Sequence, residues 1–298
     1  MKKKIFIFLM GILVIVLIAF TATFITGLPF HYVEPKLVYT INDDGATCTV
    51  KGGTDMFYFC KYLQIPEQID GYIVKSIGND AFSNNDSLKG VKFADSVESI
   101  GSNAFGCCKK LKKVILPDSL REIGEYAFFG TGLINVSIPK NCKIIGNSAL
   151  AWNTGLKSVA LPEEIEAFGK MVFTDDFALM EITIPDCVTI IDSQDFGNCK
   201  SVEEITIPGN VKEIKKMAFY GCSSLKILII SKGVETIEEE AFLACYSLEE
   251  VSISDSVRNI SKDAFKGGAK IKKLHLTPDS YAESWAIENG YADIIVYD

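Results

Sequence analysis

The stretch Ile207-Pro-Gly-Asn-Val211-Lys-Glu-Ile214-Lys-Lys-Met-Ala-Phe219-Tyr-Gly-Cys-Ser-Ser-Leu225 decides the fold, because its apolar positions recur along most of the chain. Phe219 belongs to a column of nine residues whose successive gaps are 23 residues, except for one gap of 22. The column consists of Phe82, Phe105, Phe128, Leu150, Phe173, Phe196, Phe219, Phe242 and Phe265. Self-similarity at one fixed period predicts a repeat protein.

Further apolar columns keep the same spacing. Five residues before each column aromatic stand Ile77, Ile100, Ile123, Ile145, Phe168, Ile191, Ile214, Ile237 and Ile260. Three residues earlier stand Val74, Val97, Leu120, Cys142, Ile165, Val188, Val211, Val234 and Val257. A further apolar column follows the aromatic column, and it consists of Leu88, Leu111, Leu133, Leu156, Leu179, Val202, Leu225, Leu248 and Ile271. A coil of this length cannot bury its apolar side alone, so the columns predict about nine stacked coils of a solenoid.

Each coil contains a pattern close to L-x-x-V-x-I-P, as in Val202-Glu-Glu-Ile205-Thr-Ile207-Pro208. The alternation predicts a short strand with two side chains inward and one outward. Six prolines end such strands, where a missing N–H does least harm. In the first five coils a glycine follows the isoleucine or phenylalanine and turns the chain before the Ala-Phe pair, where we expect a short helical or 3-10 turn. These glycines are Gly78, Gly101, Gly124, Gly146 and Gly169.

The unit Ala218-Phe-Tyr-Gly-Cys-Ser-Ser-Leu225, after Ile207-Pro-Gly-Asn-Val211, resembles the BspA-like leucine-rich repeats of bacterial and some protist surface proteins. The resemblance covers roughly residues 63–277, and the shorter unit Phe129-Gly-Thr-Gly-Leu133 is similar to a family variant with one residue deleted. It implies a β-rich leucine-rich repeat solenoid. It also implies surface display and binding of a partner, rather than one particular activity.

Both ends of the repeats, at residues 67–277, are predicted to carry caps. The N-terminal cap, residues 31–66, contains Leu37–Ile41 and Ala46–Val50 around Asn-Asp-Asp-Gly45, which predicts a hairpin. The C-terminal cap, residues 278–298, contains Ser280 and Glu283 as a capping box for a helix that ends before Gly290. A last strand is predicted over 293–297.

The N-terminus predicts the location of the protein. Lys2, Lys3 and Lys4 precede Ile5–Ile25, which has no charged residue and is about as long as a membrane is thick, roughly 30 Å as a helix. Because cleavable signal peptides have a shorter apolar stretch, residues 1–30 favour an uncleaved transmembrane signal-anchor over a cleaved signal peptide. The lysines stay on the cytoplasmic side, so the repeats are expected outside the cytoplasm, or secreted if cleavage occurs.

The composition excludes several classes of protein. With 48% hydrophobic residues the chain is not disordered. Residues 1–30 hold three of the 30 bases and no acid, leaving 27 bases against 38 acids, a net charge of −11, on the remainder. Such a surface repels phosphate backbones, so nucleic-acid binding is not expected. We also expect no cofactor and no catalytic or metal-binding residues, because the two histidines lie in no catalytic or zinc-binding motif.

The nine cysteines have a structural interpretation. Cys108, Cys199, Cys222 and Cys245 each lie three residues after a column aromatic, which predicts an inward ladder of small buried thiols. Two disulfide alternatives stay open, between adjacent rungs of that ladder and between Cys48 and Cys60 in the N-terminal cap.

The outward-facing strand positions are the predicted binding surface. Early coils are basic there and later coils acidic, which would orient a charged partner, although an ordinary solvated surface has the same composition. The candidate partner-binding residues are Lys92, Lys113, Thr183, Glu204, Thr206, Glu250 and His275. The predicted partner is a protein or glycan on another surface. The alternatives are a structural spacer or self-assembling element without a ligand and, more remotely, an enzyme such as a glycosidase.

Overall fold

Most coils contribute strands to two sides of a solenoid of about 11 turns. The computed structural model describes residues 36–53, 60–267 and 270–297, so the signal-anchor predicted for residues 1–30 lies outside the described residues. Within those three ranges, no helix combines the length and hydropathy that crossing a membrane requires.

The first side is built from the V-x-I strands, which pair in parallel. They are β3 (Tyr62–Gln64), β6 (Gly90–Lys92), β8 (Lys113–Ile115), β10 (Asn135–Ser137), β12 (Ser158–Ala160), β15 (Glu204–Ile207), β17 (Ile227–Ile230), β19 (Glu250–Ile253), β21 (Lys273–Leu276) and β22 (Ile295–Tyr297). Pairing joins equivalent repeat positions, as where Ile205 lies opposite Leu228 and Leu228 opposite Val251. The two outermost strands, β3 and β22, belong to the caps, and so the turns outnumber the nine repeats.

The second side is made mostly of two-residue strands that carry the isoleucine column. Its strands are β1 (Leu37–Ile41), β2 (Thr47–Gly53), β4 (Gln68–Ile69), β5 (Tyr72–Ile77), β7 (Ser99–Ile100), β9 (Glu122–Ile123), β11 (Ile144–Ile145), β13 (Ala167–Phe168), β14 (Ile190–Ile191), β16 (Glu213–Ile214), β18 (Thr236–Ile237) and β20 (Asn259–Ile260). The predicted N-terminal hairpin is β1 paired antiparallel with β2, which then pairs in parallel with β5 and so begins the stack.

The Ala-Phe segments form hydrogen-bonded turns along the third side, and the prediction of a short helix or 3-10 turn in each coil is wrong for the described coils. Their backbone N–H groups bond to the next coil, as Phe219 N does to Ala241 O at 2.9 Å. From Phe82 to Phe242, two residues around each column position have positive φ, such as Met217 at 59° and Gly221 at 73°. A helix cannot continue through such residues, and the inter-coil hydrogen bonds replace the intrahelical ones.

The core is one continuous set of inward side chains, with the aromatic column at its centre. The rings of Phe196, Phe219 and Phe242 stack with centroids 5.2 Å and 5.3 Å apart and planes within 7°. Trp285, in the only described α-helix, α1 (Tyr281–Glu288), continues this column at the C-terminal end by packing 6.0 Å from Phe265. The helix has the predicted N-cap, since Ser280 Oγ accepts a hydrogen bond from Glu283 N. A 3-10 turn at Ala292–Ile294 leads into β22.

The stack is interrupted at two places on the first side. No hydrogen bonds join β8 to β10, whose coils are separated by the shorter, 22-residue repeat. Residues 181–185 form no strand, so β12 and β15 are not joined either. On the second side, the sheet likewise breaks between β13 and β14. The coil at residues 166–191 is therefore the point where both sheets end and begin again.

The glycines of the first five coils lie directly against the preceding coil. A Cβ added to Gly124 would lie 2.7 Å from Ser102 N and 2.8 Å from the carbonyl carbon of Gly101. From β14 onward the equivalent residues are Asp192, Lys215, Glu238 and Ser261. The change from glycine to larger residues thus coincides with the break in the second sheet.

We expect Gly124→Ala to lower the free energy of unfolding by about 1–3 kcal/mol, because the new methyl group meets backbone atoms that cannot rotate away. Urea unfolding followed by circular dichroism measures this change. Ser261→Ala is the matched control at the same repeat position beyond the break, and we expect it to unfold close to the wild type. Equal losses for the two variants would contradict the steric explanation.

Candidate binding surface

The solvent-facing positions of the first side are called the strand face here, comprising the outward residues of β3 to β22 and the residue before each strand. Lys92, Lys113, Glu204 and Thr206 are exposed on it, as the sequence predicts. Thr183 is exposed too, but it lies in the segment without a strand, where the alternation of buried and exposed residues nevertheless continues.

The N-terminal part of the strand face is basic. Lys61, Lys89 and Lys112 lie in successive coils, joined by backbone hydrogen bonds from Lys89 N to Lys61 O and from Lys112 N to Lys89 O. With Lys92 and Lys113 they form the basic patch, and none of the five makes a salt bridge with a carboxylate in the described residues. Their charges are therefore available to a partner.

A glycine within the basic patch has a specific packing role. A Cβ at Gly90 would lie 3.1 Å from Cδ1 of Tyr62, whose side chain is 47% exposed. Gly90 pairs with Tyr62 across β3 and β6, so the small residue lets the tyrosine ring lie flat over the sheet. This glycine leaves a broad, low surface among the lysines.

The middle of the strand face is acidic. Glu181 and Glu204 are exposed and form no salt bridge with any described base. Their coils also present Thr183 and Thr206. We call Glu181 and Glu204 the acidic patch, and the neutral positions of β10 and β12 separate it from the basic patch.

The C-terminal part of the strand face neutralises its own charges between coils. Salt bridges join Glu203 to Lys226 (2.9 Å), Glu249 to Lys272 (2.7 Å) and Glu250 to Lys273 (3.4 Å), and a hydrogen bond joins Glu250 to His275 (2.9 Å). Glu250 and His275, two of the predicted partner-binding residues, therefore bind each other and are only partly exposed. Sequence reasoning missed this pairing because it depends on strand register.

A buried polar column runs inside the solenoid, three residues after each column aromatic. Cys199 Sγ donates a hydrogen bond to Phe173 O at 3.2 Å, and Cys222 Sγ donates to Phe196 O at the same distance. Asn153 Nδ2 makes the equivalent bond to Phe128 O at 3.0 Å. The column comprises Asn85, Cys108, Thr131, Asn153, Asp176, Cys199, Cys222 and Cys245, all buried. The thiol ladder predicted from the sequence is thus part of a longer column of hydrogen-bond donors.

Asp176 is the one member of this column that has no donor when ionised. Its Oδ1 accepts a hydrogen bond from Asn153 N at 2.7 Å, whereas its buried Oδ2 has no partner. Burial raises the pKa of the Asp176 carboxyl well above its ordinary value of 3.8, and the nearby charge of Asp175 raises it further. A protonated Oδ2 is a hydrogen-bond donor, as the cysteines and asparagines of the column are. Asp176 lies in the coil where both sheets are interrupted.

All nine cysteines lie in the described residues and are free thiols. Neither disulfide alternative is present, since Cys48 Sγ is directed to Tyr72 O and Cys60 Sγ to Tyr62 O. Burial raises the pKa of Cys108 and of Cys222 to about 12, which keeps both protonated at neutral pH. The described part of the chain contains no group of three or more side chains arranged to hold a metal ion.

An open groove of about 690 Å³ borders the strand face where β10 and β12 end. Ser137, Asn141 and Glu163 contribute to its lining, together with the ion pair between Lys143 and Glu164 at 2.8 Å. The hydrogen bond from Lys143 lowers the pKa of the Glu164 carboxyl. An exposed carboxylate held ionised in this way does not act as a general acid.

Several solved structures are similar to this chain. A leucine-rich repeat protein from Bacteroides ovatus shares 21% identity over 83% of this chain and 85% of that chain, at a TM-score of 0.47. A leucine rich cell surface protein from Faecalibacterium prausnitzii shares 21% identity over 87% and 97%, at 0.37. A leucine-rich repeat protein from T. pallidum shares 22% identity over 86% and 94%, at 0.40. Among curated protein sequences there is no match.

The repeat units also match a family profile. The profile of the BspA type leucine-rich repeat region matches in six copies, over residues 75–179 and 166–289. Together these two ranges cover residues 75–289, which is more than half of the chain.

Proposed function

Since the chain belongs to the BspA-type leucine-rich repeat family, we propose that it is a non-enzymatic protein, displayed on a cell surface, that binds a protein or glycan partner through its strand face. The observation that supports this function is the contrast in charge pairing along the strand face. The C-terminal coils pair their charges internally, whereas the basic and acidic patches do not.

Binding by such a surface needs no deep pocket. Stacked coils hold the side chains of successive repeats at a spacing of roughly 4.8 Å, on a rigid backbone. A partner then gains affinity from many contacts of modest strength, and charge complementarity sets its orientation and association rate.

The cell-surface location rests on the N-terminal sequence. An uncharged segment, Ile5–Ile25, after Lys2, Lys3 and Lys4 would tether the protein with the repeats outside the cytoplasm. Protease treatment of intact cells tests this orientation. Cleavage of the repeats in intact cells supports it, and protection until the cells are lysed contradicts it.

A binding array of purified matrix proteins and glycans, probed with the full-length chain in a nonionic detergent, tests partner binding. Replacing Thr183, Glu204 and Thr206 together by alanine is expected to weaken binding about tenfold or more, without changing the melting temperature, because all three are exposed. The control variant Glu235→Ala with Asn259→Ala changes exposed residues on the second side. Unchanged binding by the triple variant would refute the strand face as the binding surface.

A further inference from the structure

We infer that the strand face binds a second copy of this chain in an antiparallel dimer, with the basic patch of each copy on the acidic patch of the other. The inference uses the surface of the proposed function but requires no outside partner. Dimerisation can therefore fail while partner binding succeeds, and the reverse also holds.

The charges that the chain leaves unpaired are of both signs. Equivalent positions in neighbouring coils carry opposite charges in the C-terminal part, as Glu249 and Lys272 do, so those coils neutralise each other. In the basic patch the neighbours are all lysines, which repel each other. Glu181 and Glu204 form a second unneutralised set, of opposite sign, on the same face. A single polyanion would satisfy the lysines alone, whereas a second copy satisfies both sets.

The order of the coils makes the face self-complementary. The basic patch ends at β8, the neutral strands β10 and β12 follow, and the acidic patch occupies segment 181–185 and β15. A two-fold axis between β10 and β12 places β8 opposite the 181–185 segment and β6 opposite β15. Lys113 then lies opposite Glu181, and Lys92 lies in the coil opposite Glu204, two residues further along the strand.

The residues at the centre of this arrangement permit close approach. The outward positions of β10 and β12 are small and uncharged, namely Asn135, Ser137, Ser158 and Ala160. Asn135 and Ser158 are hydrogen-bonded to each other at 2.7 Å, so neither side chain projects freely from the face. Two copies of this region can therefore meet without a steric conflict, and the exposed base Lys157, directly before β12, lies beside it.

Exposed apolar side chains also lie in the two coils that this axis brings together. Ile115 in β8 is 47% exposed, and Met180, directly before the 181–185 segment, is 57% exposed. The two-fold axis brings these two coils together, with Ile115 opposite Thr183 and Met180 three residues away along the coil. Burial of such side chains beside a polar rim is typical of protein interfaces.

The size of the face predicts weak association. From β3 to β17 it is roughly 34 Å long and five residues, or about 17 Å, wide. Two copies would bury roughly 1,200 Å² in total, at the lower end for specific interfaces. Charge pairs at the rim of an interface respond strongly to salt, because the Debye length falls from about 30 Å at 0.01 M to about 8 Å at 0.15 M. Dimers should therefore form at low salt and high concentration and dissociate as salt is added.

Charge-swap variants of the full-length chain test the dimer. One variant carries Lys92→Glu and Lys113→Glu, and the other carries Glu181→Lys and Glu204→Lys. Each chain is labelled with a donor or an acceptor fluorophore and held in nonionic detergent with a large excess of micelles, so that two chains seldom share a micelle. Energy transfer then reports association at low salt and at high salt. Arg258→Glu with Lys262→Glu is the control, with the same change of charge away from the strand face.

We expect the wild type to associate at low salt, each charge-swap variant alone to associate at least tenfold more weakly, and an equimolar mixture of the two to regain the wild-type level. The mixture regains it because every contact then joins opposite charges. Three results would overturn the inference: a wild type that stays monomeric, variants that associate as the wild type does, and a mixture that fails to recover. A lysine-dependent shift seen only with an added polyanion would assign the basic patch to that ligand instead.

Discussion

Replacing Phe219 by alanine is expected to lower the free energy of unfolding by about 3–5 kcal/mol. Phe219 is fully buried, and its ring lies between those of Phe196 and Phe242, nearly parallel to both. Its removal loses the apolar transfer free energy and also leaves a cavity between two coils that are held in place by backbone hydrogen bonds. Equilibrium unfolding in urea measures the loss.

Phe219→Leu is the matched control. Leu150 occupies the same column in its own coil and is fully buried, so the solenoid accommodates leucine there. We expect Phe219→Leu to lower the free energy of unfolding by less than half as much as Phe219→Ala does, because leucine refills most of the space and keeps the contact apolar. Equal losses for leucine and alanine would show that ring stacking, rather than filled volume, stabilises the column.

The sequence was sufficient to predict the solenoid, because its fold depends on spacing. Columns such as Phe219 with Ile214 and Val211 define which side chains point inward in every coil, and the structure buries all three. Local features could also be predicted, including the hairpin of β1 and β2 and the N-cap at Ser280. These depend on a few adjacent residues, whose preferences are strong.

The helical turn and the two interruptions could not be predicted in this way. The segment around Phe219 contains residues that are compatible with a helix. The structure excludes one through the inter-coil hydrogen bond from Phe219 N to Ala241 O and the positive φ of Met217. The break at residues 181–185 likewise concerns pairing between coils, although the loss of glycine after Gly169 marks its position in the sequence.

For the candidate site, the sequence predicted which residues face outward but not which of them pair. Lys92 and Glu204 were identified correctly as exposed, whereas His275 and Glu250 bind each other. Asp176 is absent from the predicted sites, because the repeat position it shares with Cys199 was interpreted through its cysteines alone. The signal for it is present in the sequence, since Asp176 stands three residues after Phe173, at a repeat position that otherwise holds uncharged residues.

Asp176→Asn is expected to stabilise the protein increasingly as the pH rises above about 4. The pKa of Asp176 is raised in the folded state by burial, so above its ordinary value of 3.8 the folded chain binds more protons than the unfolded chain does. Stability is then lost as the pH rises, at up to about 1.4 kcal/mol per pH unit until the folded-state pKa is reached. Below pH 4 the carboxyl is protonated in both states, and the contribution of its neutral form is fully present. Asparagine has a donor at every pH and does not titrate.

The measurement is the difference in the free energy of unfolding between Asp176→Asn and the wild type, obtained by urea unfolding at a series of pH values. Taking the difference removes the contributions of the exposed carboxylates, which both proteins share. Asp175→Asn is the matched control, because Asp175 is adjacent but only partly buried. This substitution removes the charge that adds to the rise in the pKa of Asp176 but leaves the larger effect of burial in place. Its difference from the wild type should vary far less with pH.

A difference for Asp176→Asn that does not grow with pH would mean that the Asp176 carboxyl is ionised in the folded state and that its Oδ2 accepts a hydrogen bond. If the difference does grow, the coil at which both sheets are interrupted is also a coil whose stability depends on pH. Under the proposed function, partner binding near Glu181 should then weaken at alkaline pH in the wild type but not in Asp176→Asn.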